Sequence, residues 1–417
     1  MTKGQASPKL RPMDLHARVV QVCPNASGAT LVLVANGETR SIEVRVVPAD
    51  LAAGAFVRLQ VGQDGAVASI ARVQGPTVAW DGSGDAVRWA RTSRGAWLWR
   101  RQDALRAIRQ DLFDEGFLEV DTPLLVPATC PDAVIDSVQT CDGRFLITSS
   151  EYQLKRLMVG GFDRVFSLTK NFRAGDRGQL HSEEFTMLEW ARCWQPLEDI
   201  EADAERFVRK AFRAVRGAAA HSTVRGQRVQ WDAGPWERID LRDALRLRLG
   251  VEVDRHFSLG SMVQGAASAR LQVPESFESD RHLMISWLMD ALQPHLGHPL
   301  PTFVRGWPAF LTSSAQGDPD DEGVALRSEL VVGGIEIADG FGFLRDSAVQ
   351  AETFARENRR RQASGKAAVP IDARYLEALG QGIAPGAGMA LGVDRLIMAL
   401  VDAPSIGLVQ AFAQDEL

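Results

Sequence analysis

The chain has 417 residues, of which 45% are hydrophobic and 24% charged. Lys and Arg total 47 against 53 Asp and Glu, a net charge of −6. This excludes wholesale disorder and a dominant nonspecific nucleic-acid binder, and no apolar run approaches the ~18 residues of a membrane span. At roughly 100–200 residues per domain, the length predicts two to three domains. The N-terminus carries no apolar core of a secretory signal, and the four cysteines are scattered without CxxC spacing. The expected setting is therefore reducing and cytoplasmic.

Residues 1–15 read as a polar, Pro-containing tail. Over 16–75, short β-branched runs at Ala17–Val22, Ala29–Val34, Arg40–Val46, Phe56–Val61 and Ala66–Val73 alternate with Asn-Gly and Asp-Gly turn signals. Five short strands in this span predict a small OB-like β-barrel. Residues 76–92, with Asp-Gly-Ser-Gly, read as a linker. Leu98, Leu105, Ile108 and Leu112 then recur at helical spacing over Ser93–Glu115, with Gly116 as the stop. From 93 to 417 the chain mixes strands and helices, so the fold class is α+β. The basic run Arg356–Arg361 reads as a solvated helix face.

Three segments carry chemistry. In Gly116–Leu125, a helix gives way to a strand over Phe117–Val120, which Pro123 ends. In Arg164–Trp190, two strands flank the polar loop Ala174–Ser182, as in a hairpin with a long loop. Arg173 closes the first of them, where its planar guanidinium suits a phosphate or a carboxylate. His181 and Phe185 follow the loop, and Phe185 could stack on a base. In Gly386–Met398, the dinucleotide fingerprint fails because Leu391 occupies the third glycine position. The better reading is a strand over Gly388–Leu391 running into a helix from Val393. Arg395 then sits in the first helical turn, where a phosphate also feels the helix dipole.

Together, FLEVDTPLL, NFRAGDRGQLHSEEFTMLEW and GMALGVDRLIMAL resemble the three signature motifs of class II aminoacyl-tRNA synthetases. EYQLKRLMVGGFDRVFSLTKNFR and GGIEIADGF resemble the lysyl branch, which includes lysyl-tRNA synthetases and elongation factor P lysine ligases. The resemblance implies a largely antiparallel sheet with flanking helices and a homodimer paired through the first motif. It implies ATP and Mg²⁺ as cofactors and activation of an amino acid as its adenylate. Arg173 matches the arginine that bridges carboxylate and α-phosphate, and Arg395 the one at the γ-phosphate. Phe185 matches the adenine-stacking residue and His181 a phosphate contact. Glu329 and Glu336 match the Mg²⁺ pair, Glu151 the residue taking the α-ammonium, and Glu189 one carboxylate of the side-chain pocket.

The sequence also departs from that pattern. Gly175, followed by Asp176, stands where the second motif has an adenine-contacting Glu. In the side-chain pocket, Phe343 replaces a Glu, Asp339 an Asn and Ala191 a Tyr. The pocket is therefore expected to prefer an amino acid other than lysine: a cationic one held at a different reach, or a neutral one packed on Phe343. Residues 16–75 hold one aromatic residue, Phe56, and nearly balanced charge. That is poor equipment for single-stranded RNA and points instead to a protein-binding or vestigial module. Three readings stand open: activation with a protein or small-molecule acceptor, activation with tRNA as acceptor, and a non-catalytic binder of amino acid or nucleotide. None involves a membrane.

Overall fold

The computed structural model describes residues 13–62, 66–76, 80 and 84–416. The chain divides into two compact units, Met1–Trp99 and Arg100–Leu417. Among the described residues, no helix is long and apolar enough to cross a membrane.

The first unit holds β1 (Met13–Asn25), β2 (Gly28–Ala35), β3 (Glu38–Val44), β4 (Phe56–Val61) and β5 (Val67–Gln74). All pair antiparallel in the order β3-β2-β1-β4-β5. Period-two alternation turns Leu31 and Leu33 of β2 and Val57 and Leu59 of β4 inward, and all four are buried. Two expectations need correction here. Of the tail expected over 1–15, residues 1–12 lie outside the description, but Met13–Leu15 pair with Leu59–Val61 and belong to β1. Of the linker expected over 76–92, residues 77–79 and 81–83 lie outside the description, but Asp85–Arg91 is a helix with Val87 buried. Its glycine-rich approach hides the helix from a reading by composition.

Helix α1 (Arg94–Asp114) stops as expected, with Gly116 at φ +77°, a conformation that costs glycine little. Eight strands form the large sheet: β6 (Leu118–Glu119), β7 (Arg164–Phe172), β8 (Glu184–Cys193), β9 (Glu237–Asp240), β10 (Thr302–Arg305), β11 (Arg327–Val332), β12 (Ile335–Gly342) and β13 (Gly386–Gly392). Their order is β9-β10-β11-β12-β13-β8-β7-β6. The two outer pairs are parallel and the interior is antiparallel.

Alternation along β8 gives the sheet two different faces. Trp190 and Arg192 meet α3 (Leu197–Arg216), with α2 defined as Glu151–Val159. Trp190 packs edge-on against Phe207, centroids 4.9 Å apart, and Arg192 Nε donates to buried Asp203 at 2.6 Å. Helix α3 buries Ile200, Ala204, Phe207, Ala211 and Val215 as one apolar stripe. Buried Glu201 accepts from Arg238, Arg305 and Ser328 on the same side. A buried carboxylate persists only when matched in this way. The opposite face, carrying Glu189 and Ala191, is left for a cavity. Helices α4 (Ser347–Ala363), α5 (Ala373–Gln381) and α6 (Val393–Val401) complete the parts used below.

Candidate active site

The cavity over the open face has a volume of about 620 Å³, within the range of small-molecule sites. Of the residues matched to ATP, metal or amino-acid contacts, all line it except Glu329, which pairs with the cavity-lining Arg327.

Strand register fixes the floor. Directly opposed neighbours run Glu329, Asp339, Ala390, Glu189, Ser167 across five strands. The next row is Arg327, Phe341, Gly388, Ala191, Val165. Asp339 and Glu189 are thus two strand spacings apart, roughly 10 Å, with Ala390 between them.

At one end, Arg173 follows β7, and its N–H donates to the Glu183 carbonyl at 2.9 Å. Its guanidinium lies 5.1 Å from the Phe185 ring centre, and Nε is buried without a partner. Among the described residues it makes no ion pair, so it is a cation poised for an anionic ligand. Arg395, in the first turn of α6, donates to the Leu180 and Glu336 carbonyls at 3.2 and 3.0 Å and meets His181 Nε2 at 2.6 Å. Burial, and then the Arg395 charge, hold the His181 pKa below its ordinary value. The ring is therefore neutral near pH 7, with Nε2 accepting. Asp394 fixes the start of α6 by accepting from Thr186 N and from Arg101. Gly175 N–H donates to Glu183 at 2.7 Å, while Asp176 faces the cavity and stands 3.9 Å from His181.

At the other end, every carboxylate has partners. Glu151 Oε1 pairs with Lys155 at 2.6 Å, and Oε2 accepts from Ser314. Glu189 accepts from Ser149 Oγ, Ser150 N and Ser150 Oγ. Burial pushes its pKa up, and these donors partly restore it. Arg327 holds both oxygens of Asp339, at 3.0 and 3.1 Å, and reaches Glu329 at 2.6 Å. Burial leads in raising the Asp339 pKa to about 6, against the pull of Arg327. Glu329 rises well above its usual value through burial, with the Glu336 and Asp339 charges adding to it.

Lys155 and Arg327 were missed in the sequence, although both left signals. Lys155 is one helical turn after Glu151, and Arg327 shares a strand face with Glu329. Lys155 is almost wholly buried, with Nζ 5.4 Å from the Phe343 ring centre. Burial, the largest single influence, lowers its pKa, but Glu151, through its charge and hydrogen bond, and Tyr375 together outweigh it and hold it above the ordinary lysine value.

The basic run also needs correction. Arg359 is exposed, but Arg361 is buried at the end of α4. It donates to the Asp132 and Ile135 carbonyls and pairs with Asp136 at 3.0 Å. The Asp136 carbonyl in turn accepts from Ala174 N, next to Arg173. The run's last residue therefore clamps a cavity-lining loop, a long-range contact invisible to charge patterning.

Among the described residues, no three His, Cys, Asp or Glu side chains gather as a metal-ligating group. Glu329 and Glu336 repel one another, which a cation between them would relieve. Such a pair suits Mg²⁺ only if phosphate oxygens and water complete its shell.

Residues 85–416 match the description of class II tRNA synthetases (D, K and N). The chain is 33% identical over 341 residues to an elongation factor P–(R)-beta-lysine ligase of Edwardsiella ictaluri, covering 79% of this chain and 99% of that one. It is 32% identical over 328 residues to a ligase of the same name from Salmonella paratyphi B, covering 76% and 95%. Strands β1–β5 lie outside the matched span. With these motifs carried on these strands and the match running through nearly all of the larger unit, the chain belongs to the class II tRNA synthetase family of the D, K and N type.

Proposed function

We propose that this protein activates an amino acid with ATP and transfers it to an acceptor, a protein in the favoured reading and a small molecule otherwise. A carboxylate oxygen of the amino acid attacks the α-phosphorus, the α–β phosphoanhydride breaks, and pyrophosphate leaves. An acceptor nucleophile then attacks the acyl carbon and AMP leaves. The carboxylate is already a nucleophile, so the work is positioning and charge neutralisation. The observation that carries this reading is Arg173, a cation without an ion pair among the described residues, held against Phe185 and facing the cavity. In this proposal Arg173 takes the α-phosphate and carboxylate, Phe185 the adenine, and His181 and Arg395 the outer phosphates. Glu329 and Glu336 hold Mg²⁺ together with the triphosphate, Glu151 takes the α-ammonium, and Glu189, Ala191, Asp339 and Phe343 surround the side chain.

The relatives' names support a protein acceptor, since they name elongation factor P. Strands β1–β5, which lie outside the family match, support tRNA as the second reading. Their order supports an OB-like module, although Phe56, the one aromatic of residues 16–75, already lies against Arg18 at 4.9 Å. A homodimer in the cytoplasm completes the proposal. The test is amino-acid-dependent exchange of labelled pyrophosphate into ATP. Exchange supports activation, and its absence from the folded protein over a broad panel leaves the non-catalytic binder. Acceptor identity is read by incubating the adenylate-forming enzyme with tRNA and, separately, with elongation factor P.

A further inference from the structure

The loop that follows Arg173 is held from the far end of the chain. Three successive N–H groups leave the end of β7, and each has a partner. That of Arg173 donates to the Glu183 carbonyl at 2.9 Å, that of Ala174 to the Asp136 carbonyl at 2.8 Å, and that of Gly175 to the Glu183 carboxylate at 2.7 Å. Glu183 thus grips the chain on both sides of Ala174, once through its backbone and once through its side chain. Gly175 sits at φ +77°, and a Cβ there would meet no described residue within 4 Å. The loop is fixed at 175 by its N–H rather than by a side chain.

The other oxygen of Glu183 belongs to the C-terminal segment. It accepts from Gln414 Nε2, while Gln414 Oε1 lies 3.5 Å from Glu183 N, so one amide spans the side chain and backbone of one residue. A free carboxylate has several rotamers, and Gln414 selects the one that meets Gly175. Arg177 adds an ion pair at 2.7 Å, but its side chain is 68% exposed and contributes little. The segment carrying Gln414 is itself seated. Ile406 and Val409 are buried, Ile406 N donates to the Gln179 carbonyl at 2.8 Å, and Gln410 Nε2 donates to the Glu184 carbonyl at 3.2 Å. It follows α6, the helix of Arg395, so one stretch of chain bears on both arginines of the cavity.

We infer that Glu183 and Gln414 are positioning residues for ATP: through them the C-terminal segment holds the backbone of Arg173–Gly175, and with it the Arg173 guanidinium and the cavity-facing Asp176, in the conformation that the nucleotide meets. Neither residue touches the reacting atoms. The inference rests on the activation reading above and adds to it a part of the chain more than 200 residues from the loop it serves. Apparent affinity falls with the fraction of protein that holds the binding conformation, and a hydrogen bond to a charged group is worth enough to change that fraction about tenfold.

The experiment is pyrophosphate exchange with the full-length protein, using lysine, β-lysine, ornithine, arginine and norleucine and following the fastest. Glu183→Ala should raise the KM for ATP about tenfold and leave the KM for the amino acid, held at the far end by Glu151, unchanged. Gln414→Ala should act in the same direction and less strongly. An unchanged KM for ATP, or an equal rise for both substrates, overturns the inference and leaves activation standing. Exchanging the two side chains is the second readout. Gln414→Glu alone sets two carboxylates against each other and should raise the KM for ATP. Adding Glu183→Gln turns the pair round: the amide at 183 still accepts from Gly175 and now donates to the carboxylate at 414, so the KM should return toward the wild-type value. Failure of the double variant to recover overturns the pairing, and this comparison decides the question if Glu183→Ala does not fold. If the wild type exchanges pyrophosphate with none of the five amino acids, activation fails, and calorimetric titration with ATP and Mg²⁺ decides the inference separately. Binding weakened about tenfold in Glu183→Ala upholds it; equal affinity, or no binding by the wild type, overturns it.

Discussion

Replacing Arg327 by Met would show whether one guanidinium balances the charge of this cavity. Its side chain is 16% exposed, forks to Asp339 at 3.0 and 3.1 Å, and reaches Glu329 at 2.6 Å. It also lies 4.4 Å from the Trp307 ring centre. Methionine fills much of that space and can lie on the indole, so the expected loss is electrostatic rather than a packing defect. Removing one partner of a buried ion pair costs about 3–5 kcal/mol, because the remaining charge is uncompensated. Here two carboxylates are orphaned, so urea unfolding at pH 8 should show a loss in that range. The pH dependence gives the mechanism away. Burial already raises the Asp339 pKa to about 6 with Arg327 present, and removing the cation raises it further. A carboxyl with a raised folded-state pKa binds protons in the native state that the unfolded state releases. Its destabilisation grows as pH climbs from about 4 and is complete above the folded-state pKa. The loss should therefore be clearly smaller at pH 5 than at pH 8. Asp339→Asn in the Arg327→Met background should recover part of it, and Glu329→Gln should recover more. A loss under about 1 kcal/mol, or one equal at pH 5 and pH 8, refutes the account.

Arg173→Ala should lower pyrophosphate exchange by about 10²–10³-fold while leaving the unfolding transition in place, as losing one preorganised donor does; near-wild-type exchange would remove Arg173 from the chemistry. The triple variant Ala191→Tyr, Asp339→Asn, Phe343→Glu should shift preference toward lysine, read as a rise in lysine kcat/KM relative to norleucine. The His181 ring should titrate by NMR with a midpoint below 6.5 in the ligand-free protein, since burial and Arg395 both oppose its charged form; a midpoint above that value would contradict the neutral ring bonded to Arg395. Light scattering at micromolar concentration should give twice the chain mass, and a single-chain mass would discard the proposed dimer.

The elements that bear the site were legible because their signals are local. The hairpin of β7 and β8 was visible as two strands around a polar loop, and β13 with α6 as a glycine-punctuated strand running into an amphipathic helix. Alternation placed Glu189 and Ala191 on one face. What could not be read depended on partners distant in sequence. Asp339 counted as a free anion until Arg327 was seen to take both its oxygens across β11 and β12. Lys155 lay within a quoted motif, but that its ammonium sits over Phe343 follows only from how α2 packs on the end of β12. Arg361 looked like one more surface charge because its carbonyl partners lie more than 200 residues earlier. The start of β1 and the helix at Asp85–Arg91 were hidden by flanking Pro and Gly, which weigh heavily in local reading even when pairing or burial overrides them.

Ala191 and Phe343 also constrain how this chain can change. A tyrosine at 191 alone would need room in the buried cluster that the Phe343 ring already occupies. A glutamate at 343 alone would place a charge inside an apolar cluster and leave the space beside Ala191 empty. Each single replacement is a step down, and only the two together regain a filled pocket. A library that varies one position at a time will score both as intolerant and miss the route between specificities. Altering the substrate of this protein calls for randomising positions 191 and 343 jointly, with 386 and 388 held as glycine throughout, since a Cβ at 386 would press on the backbone carbonyl of Arg192 and one at 388 on that of Trp190.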